Sequence, residues 1–177
     1  MPNVVNLEGD VFVNCSSLEY LYFPKSLTTL SAGASIDGCT MLTSIEVSPD
    51  NMFFSSSEGV LYDKQQTKVI KCPEGKQSIT LPQGLKTIGS YSFYFCKKLT
   101  TITIPESVTS IELCAFSECE LLSTFYCKPI TPPTLAEYAL YGYDKSFAIY
   151  VPSESKEKYK NAWSNLATKI QEYTFDN

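Results

Sequence analysis

The stretch "CAFSEC" (114–119) places Cys114 and Cys119 five residues apart, with Glu118 and Glu120 flanking the second thiol. A thiol pair can hold a metal, close a disulfide or supply a nucleophile, and each role needs partners. The chain has no histidine, which removes Ser-His-Asp and Cys-His catalysis as well as imidazole metal ligation. No CxxC pair stands near these thiols, so zinc is not expected. A serine or cysteine nucleophile would find no base, since no well-placed lysine replaces the missing histidine. Glu118 and Glu120 read as exposed turn residues rather than a catalytic pair. Catalytic residues, a bound metal and a cofactor are therefore all expected to be absent, and an enzyme is not expected. The seven cysteines are an odd number, so at least one cannot pair within the chain.

The remaining composition narrows the class. At 177 residues, 44% hydrophobic and 19% charged, the chain can bury one sizeable core. A net charge of −5 leaves no electrostatic footprint for nucleic acid or an anionic membrane. No apolar run approaches the roughly 20 residues that span a bilayer, and "MPNVVNLEGD" (1–10) lacks the basic start and apolar run of a signal peptide. A secreted origin would require a leader absent from this chain.

The elements that position the cysteines emerge as an internal repeat. Phe93 and Phe116 are 23 residues apart, as are Cys96 and Cys119, and Leu99 and Leu122. Upstream, Phe12, Cys15, Leu18, Leu21 and Leu27 follow the same order, then Ile36, Cys39, Leu42, Ile45 and Val47, with one extra residue around "SAGA" (31–34). After Val47 the period breaks, and the surplus falls in "GVLYDKQQTKVIKCPEG" (59–75), two β-rich runs about a polar turn that predict a hairpin inserted into the array. Within each repeat "LxxIxI" alternates apolar and polar residues as a half-buried strand does. Pro24, Pro82 and Pro105 end these strands, and a second apolar pair ("SLTTL", "GLKTI", "SVTSI") crosses the back. One such unit has too little core to fold alone, so neighbours must stack and each position becomes a column.

The span "ITLPQGLKTIGSYSFYFCKKLTTITIPESVTSIELCAFSECELL" (79–122) resembles the BspA-type leucine-rich repeat, whose pattern runs L-x-x-I-x-I-P-x-x-V-x-x-I-x-x-x-A-F-x-x-C. The segment 48–73 is similar to a variant repeat of that family, and "PPTLAEYAL…IYVPSESKEKYKNAWSNLATKI" to its bacterial C-terminal caps. The resemblance implies a leucine-rich-repeat solenoid: a right-handed coil of short β-strands, turns and short helical segments, with one inserted β-hairpin and a C-terminal helical cap. Repeats would occupy 1–127, with the variant repeat at about 48–76, and a capping segment of the same domain 128–177. It also implies a cell-surface or secreted protein of anaerobic bacteria or protists that serves adhesion or recognition without catalysis. Departures are Ile36 for Phe, Ser35 and Ser92 for Ala, and the lack of an N-terminal cap, which suggests a fragment of a longer array.

Beyond the repeats, Ser153 is expected to cap a helix in which Tyr159, Trp163, Leu166 and Ile170 share one face. That helix would seal the last repeat or, alternatively, use Trp163 to anchor a partner. "KPITPPTLAEYALYGYDK" (128–145) reads as a long ordered loop in which Tyr138, Tyr141 and Tyr143 are contact candidates or pack on the cap.

Two columns of polar residues are expected to project from the concave sheet: Tyr20, Ser44, Ser78, Thr101 and Thr124, beside Tyr22, Glu46, Thr80, Thr103 and Tyr126. Tyr and Thr suit strands on propensity alone, so a plain solvated face is one reading. The other is a hydroxyl-rich binding face for a protein ligand, such as a host or extracellular-matrix protein, with Tyr20, Tyr22, Glu46, Thr80, Thr103 and Tyr126 as its residues. A structural or self-associating spacer and a carbohydrate-binding surface remain open as alternatives. Cys15, Cys39, Cys96 and Cys119 fall in one column of buried thiols. Cys114 occupies a variable position shared with Asp10 and Tyr91, so it should react with thiol reagents before Cys119.

Overall fold

Residues 3–31, 36–142 and 146–175 are described in the computed structural model; Ser35, most of "SAGA" and Tyr143 lie outside them. The strands are β1 (Asn6–Leu7), β2 (Tyr20–Phe23), β3 (Thr29–Leu30), β4 (Ser44–Val47), β5 (Phe54–Ser57), β6 (Val60–Asp63) and β7 (Lys68–Lys71). They continue with β8 (Thr87–Ile88), β9 (Thr101–Ile104), β10 (Ser110–Ile111), β11 (Thr124–Cys127), β12 (Thr134–Leu135), β13 (Ala148–Pro152) and β14 (Ile170–Tyr173). One α-helix, α1 (Lys156–Ala162), joins the last two strands through a 3-10 turn, Ser164–Lys169.

Each repeat contributes to three sides. The long strands pair in parallel on one side, where the alternation places Leu21, Phe23, Ile102, Ile104, Phe125 and Cys127 inward and Tyr20, Tyr22, Thr101 and Thr103 outward. Two-residue strands pair in parallel on a second side, β1 with β3 and β8 with β10 and β12. The third side is the bend before Cys15, Cys39, Cys96 and Cys119, with a counterpart at Gly142. There Asn14, Gly38, Phe95, Glu118 and Gly142 all have left-handed backbone, with φ between 58 and 90°. Left-handed backbone reverses the chain in one residue but is strained for any side chain except glycine's hydrogen. At Gly38 glycine is required, because a Cβ would lie 2.4 Å from Oδ1 of Asn14. The reward is a cross-repeat bond: the N–H of Asn14 donates to Asp37 O (2.8 Å), that of Phe95 to Ser117 O (3.2 Å) and that of Glu118 to Tyr141 O (3.3 Å).

The segment after β4 departs from this plan. An antiparallel meander, β5-β6-β7, joins the second side through a parallel pairing of β7 with β8. It begins at Phe54, before the 59–75 window expected from the sequence. β6 is buried on both faces, with Val60 and Tyr62 in one hydrophobic cluster and Leu61 in the other. The meander is a wall between two cores, which explains the apolar run "GVLY". The cluster on its N-terminal side centres on Phe23, Leu27, Ile36, Leu42 and Ile45. The larger one contains Phe93 stacked on Phe116 (4.6 Å between centroids), which meets Phe125 edge-on at 5.3 Å.

The expected continuous sheet is divided as a result. β2 and β4 form one pair and β9-β11-β13-β14 a separate four-stranded sheet. "ITLP" (79–82) repeats the pattern of "ITIP" (102–105) yet forms no strand. The meander takes its place beside β4: the Ile45 N–H donates to Gly59 O (2.9 Å) and the Val47 N–H to Ser56 Oγ (3.0 Å). At the entry to β5, buried Asn51 donates from its amide to Pro24 O and Leu27 O (both 2.9 Å) and accepts from the N–H groups of Phe53 and Phe54 (both 2.8 Å).

Other expectations also change. Segment 128–145 is not merely a loop: β12 pairs with β10, and Ala139 and Leu140 are buried in the core, so it carries one more repeat. The helix stops at Ala162, so Trp163, Leu166 and Ile170 do not share a helical face with Tyr159; Ile170 begins β14, paired with Ile149. Ser153 makes no cap and lies in a 3-10 turn; Ser155 precedes the helix and donates instead to Ile130 O (2.7 Å). Trp163 is only 2% exposed and donates from Nε1 to Pro133 O (3.0 Å), so it anchors the chain's own proline segment rather than a partner. Tyr159 meets it edge-on at 4.9 Å and donates to Pro129 O (2.7 Å).

Candidate functional site

The outward face of the parallel sheets carries the six residues singled out from the sequence, in two groups. Tyr20 and Tyr22 are 52% and 46% exposed and sit opposite Ser44 and Glu46 in the β2-β4 ladder. Glu46 is half-buried and held by hydroxyl donors, Ser44 to Oε1 (2.9 Å) and Ser56 to Oε2 (3.2 Å). Two serines thus fix that carboxylate, which lowers the entropy lost when it meets a ligand. Thr103 and Tyr126 form the second group, directly opposite each other in the β9-β11 ladder. Thr80, although outside any strand, is exposed and lines a cleft of about 260 Å3 with Thr103 and Lys128. Ser56, Gly59 and the meander stand between the two groups, so one unbroken column does not exist.

The second group is part of a larger aromatic cluster. Tyr126 lies 5.2 Å from Tyr150, 5.0 Å from Tyr173 and 6.1 Å from Phe175, and the rings meet at tilted or edge-on angles. Lys128 places its ammonium 5.6 Å from the Phe175 centroid. A groove of about 470 Å3 runs beside these rings past Glu106, Lys128 and Glu154. Tyr150 is the direct ladder partner of Tyr126, 24 residues further on. Extending the repeat period past residue 127 would have found it; Tyr173 and Phe175 follow from the pairing of β14 with β13.

The thiols are arranged differently from the expected column. Cys39, Cys96 and Cys119 are buried, whereas Cys15, in the first repeat, is exposed. The Cys39 thiol donates to Phe12 O and the Cys119 thiol to Phe93 O, each at 3.0 Å, linking these two bends to the ones before them. The Cys96 thiol instead faces Cys72 O and Pro73 O of the meander's end. Burial, then the neighbouring Glu74 and Cys15, raises the Cys39 thiol above its ordinary range. These are packing groups with protonated sulfur, poor as nucleophiles. Cys114 is half-buried and in left-handed backbone (φ 51°), like Tyr91 and Tyr138 at the same position of adjacent repeats. Among the described residues no group of three or more Cys, Asp and Glu side chains could hold a metal ion. No helix among them is long and apolar enough to cross a membrane.

Stacked short strands, an aromatic-lined outer face and bends tied by thiols define a leucine-rich-repeat fold of mainly short strands and few helices. The chain matches the BspA-type leucine-rich repeat region over residues 1–80 and 71–177, with six copies of the repeat, and it belongs to that family. Among solved structures, the pneumococcal vaccine antigen PcpA is similar with a TM-score of 0.57 at 20% identity, covering 99% of this chain and 60% of that one. A leucine-rich repeat protein from Eubacterium ventriosum gives 0.56 at 22%, covering 90% and 49%. A leucine-rich cell surface protein from Faecalibacterium prausnitzii gives 0.55 at 16%, covering 91% and 48%. At these identities the likeness is one of fold, and this chain spans 60% or less of each structure. No curated protein matches it.

Proposed function

We propose that this chain is a non-catalytic recognition module, exposed at a bacterial cell surface or secreted, that binds a protein ligand on the outward face of its parallel sheets. In this reading the repeats wind as a solenoid interrupted by the meander and continue through β12, and the segment from β13 onward seals the C-terminal end. The observation that carries the proposal is the cluster of Tyr126, Tyr150, Tyr173 and Phe175, continuous with Thr103 and Thr80. Rigid aromatic side chains give contact area at low entropic cost, and buried examples dominate protein interfaces. The face is rich in aromatic and hydroxyl groups and carries few charges, Glu46 and Lys128 among them, which favours contact by shape and hydroxyl groups over steering by charge.

The test is capture of purified extracellular-matrix proteins on the immobilised chain, read by interferometry. Replacing Tyr126 and Tyr150 together with Ala should weaken the captured ligand about tenfold or more. Undiminished capture by a folded double variant would move the site off this face. A second reading, a self-associating spacer, draws on β2, whose only ladder partner among the described residues is β4. Light scattering separates the two, because only self-association through that edge makes mass rise with concentration and fall on replacement of Tyr22 by Pro.

A further inference from the structure

The bends that tie each repeat to the next are interrupted once. The Gly38 N–H has no carbonyl in front of it, because the meander has displaced the following bend, and it donates instead to Oε1 of Glu74 (2.7 Å). A carboxylate side chain thus does there what Asp37 O, Ser117 O and Tyr141 O do elsewhere. The missing bend leaves a slot of about 400 Å3, walled by Gly38 and Thr40 on one side and Phe95, Lys97 and Lys98 on the other. Glu74 lines it and is 3% exposed, and its second oxygen, Oε2, has no hydrogen-bond partner. Of the three nearby ammonium groups two are committed elsewhere, and the third, Lys98, is an exposed side chain at the rim of the slot. Lys71, fully buried, pairs with Asp37 at 2.5 Å, and Lys97 pairs with Glu120 at 2.6 Å while resting 5.2 Å over the Phe95 ring.

We propose that this slot binds a primary ammonium group, as presented by a lysine side chain or by the free N-terminus of a peptide, with Glu74 Oε2 and the Phe95 ring as its recognition elements. A buried carboxylate oxygen without a donor is a standing cost that a charge-assisted hydrogen bond removes. The aromatic face supplies a second attraction for a cation, and Lys97 already shows that this ring accepts one. Lys97 is half exposed, so its ammonium is free to leave the ring to a ligand. Oε2 is unpartnered but closed to solvent as the slot stands, so the Glu74 carboxyl turns toward the ligand on binding, and its one spare oxygen suits the compact ammonium. A guanidinium fork needs two, and calcium needs six or more oxygen ligands at once. The slot lies on the bend side, away from the sheet face, so it stands or falls independently of the ligand proposed there.

Amide-resolved NMR titration of the folded chain tests the site. Nα-acetyl-lysine amide presents only a side-chain ammonium, glycylglycine amide only an α-ammonium, and Nα-acetyl-norleucine amide is the neutral control. Saturable shifts at Gly38, Thr40 and Phe95 are expected for an ammonium ligand with Kd on the order of 1 mM, and at least about tenfold weaker for norleucine. The stronger of the two ammonium ligands identifies the source. Glu74→Gln keeps an oxygen for the Gly38 N–H but turns a donor toward the slot, so it should abolish the shifts, and Phe95→Leu should reduce them. Absence of saturable shifts in the unaltered chain would overturn the proposal, leaving a slot that holds water only. So would equal binding of norleucine amide, or full binding to a folded Glu74→Gln variant.

Discussion

Asn51 and Glu74 stand at the two ends of the same interruption, and both replace backbone hydrogen bonds that a regular repeat would have made. Asn51 uses all its capacity: two donors to Pro24 and Leu27 and an oxygen that accepts twice. Glu74 uses half of its own, with Oε1 on Gly38 and Oε2 unmatched. A buried polar group that is fully matched fixes the chain, whereas one left partly matched retains a capacity that something else can fill. The first end of the meander is therefore structural, and the second carries a site.

That contrast can be broken experimentally. The largest effect should come from Asn51→Ala, which strands the Leu27 carbonyl and two N–H groups, leaves Pro24 O only its bond from the Leu27 N–H, and should lower stability in urea by about 4 kcal/mol. A loss below about 1 kcal/mol would mean that water replaces the side chain, and the two ends would then be alike. Asp37→Asn leaves Lys71 buried without its carboxylate and should cost about 3 kcal/mol in the same assay.

Glu74→Gln sharpens the comparison through pH. Burial first, and the Asp37 charge further, raise the Glu74 carboxyl above its ordinary range; the Gly38 bond, Lys71 and Lys97 oppose this. A raised folded value means that the contribution of Glu74 is complete below its unfolded pKa, about 4.3, and is lost as pH climbs through the folded value. The Gln variant should therefore match the parent near pH 4 and exceed it at pH 7. A difference that stays flat with pH would show the carboxylate already matched. The smallest effect belongs to Ser92, whose buried Oγ is unpartnered where the next repeat has Ala115. Ser92→Ala should raise the urea stability by about 1 kcal/mol; a loss would reveal a bond to that hydroxyl.

The regular repeats were legible because alternation and spacing alone place Phe93, Phe116, Cys96 and Cys119 in the core, where they lie. Cys15 obeys the same spacing but is exposed, since burial in a column depends on a neighbour on each side and among the described residues none packs on its outer side. Period places Tyr20, Tyr22, Thr103 and Tyr126 on the outward face, where they lie, whereas Tyr150, on the same face, was not reached because the period was stopped at residue 127. Neither Asn51 nor Glu74 could be found by pattern. Each occurs once, and its role is set by partners 24 to 36 residues away.

The sequence by itself determined the repeat length, the inward residues of the regular strands and the family, because a column of identical positions writes the same local alternation several times. Only the tertiary structure decided that "ITLP" would not be a strand although "ITIP" is. A strand exists when another backbone satisfies its hydrogen bonds. On one side the β4 edge had already been taken by Gly59 and Ser56, and on the other no ladder joins "ITLP" to β9, which ends its sheet. From that one competition follow the divided sheet, the wall between the two cores and the slot over Glu74.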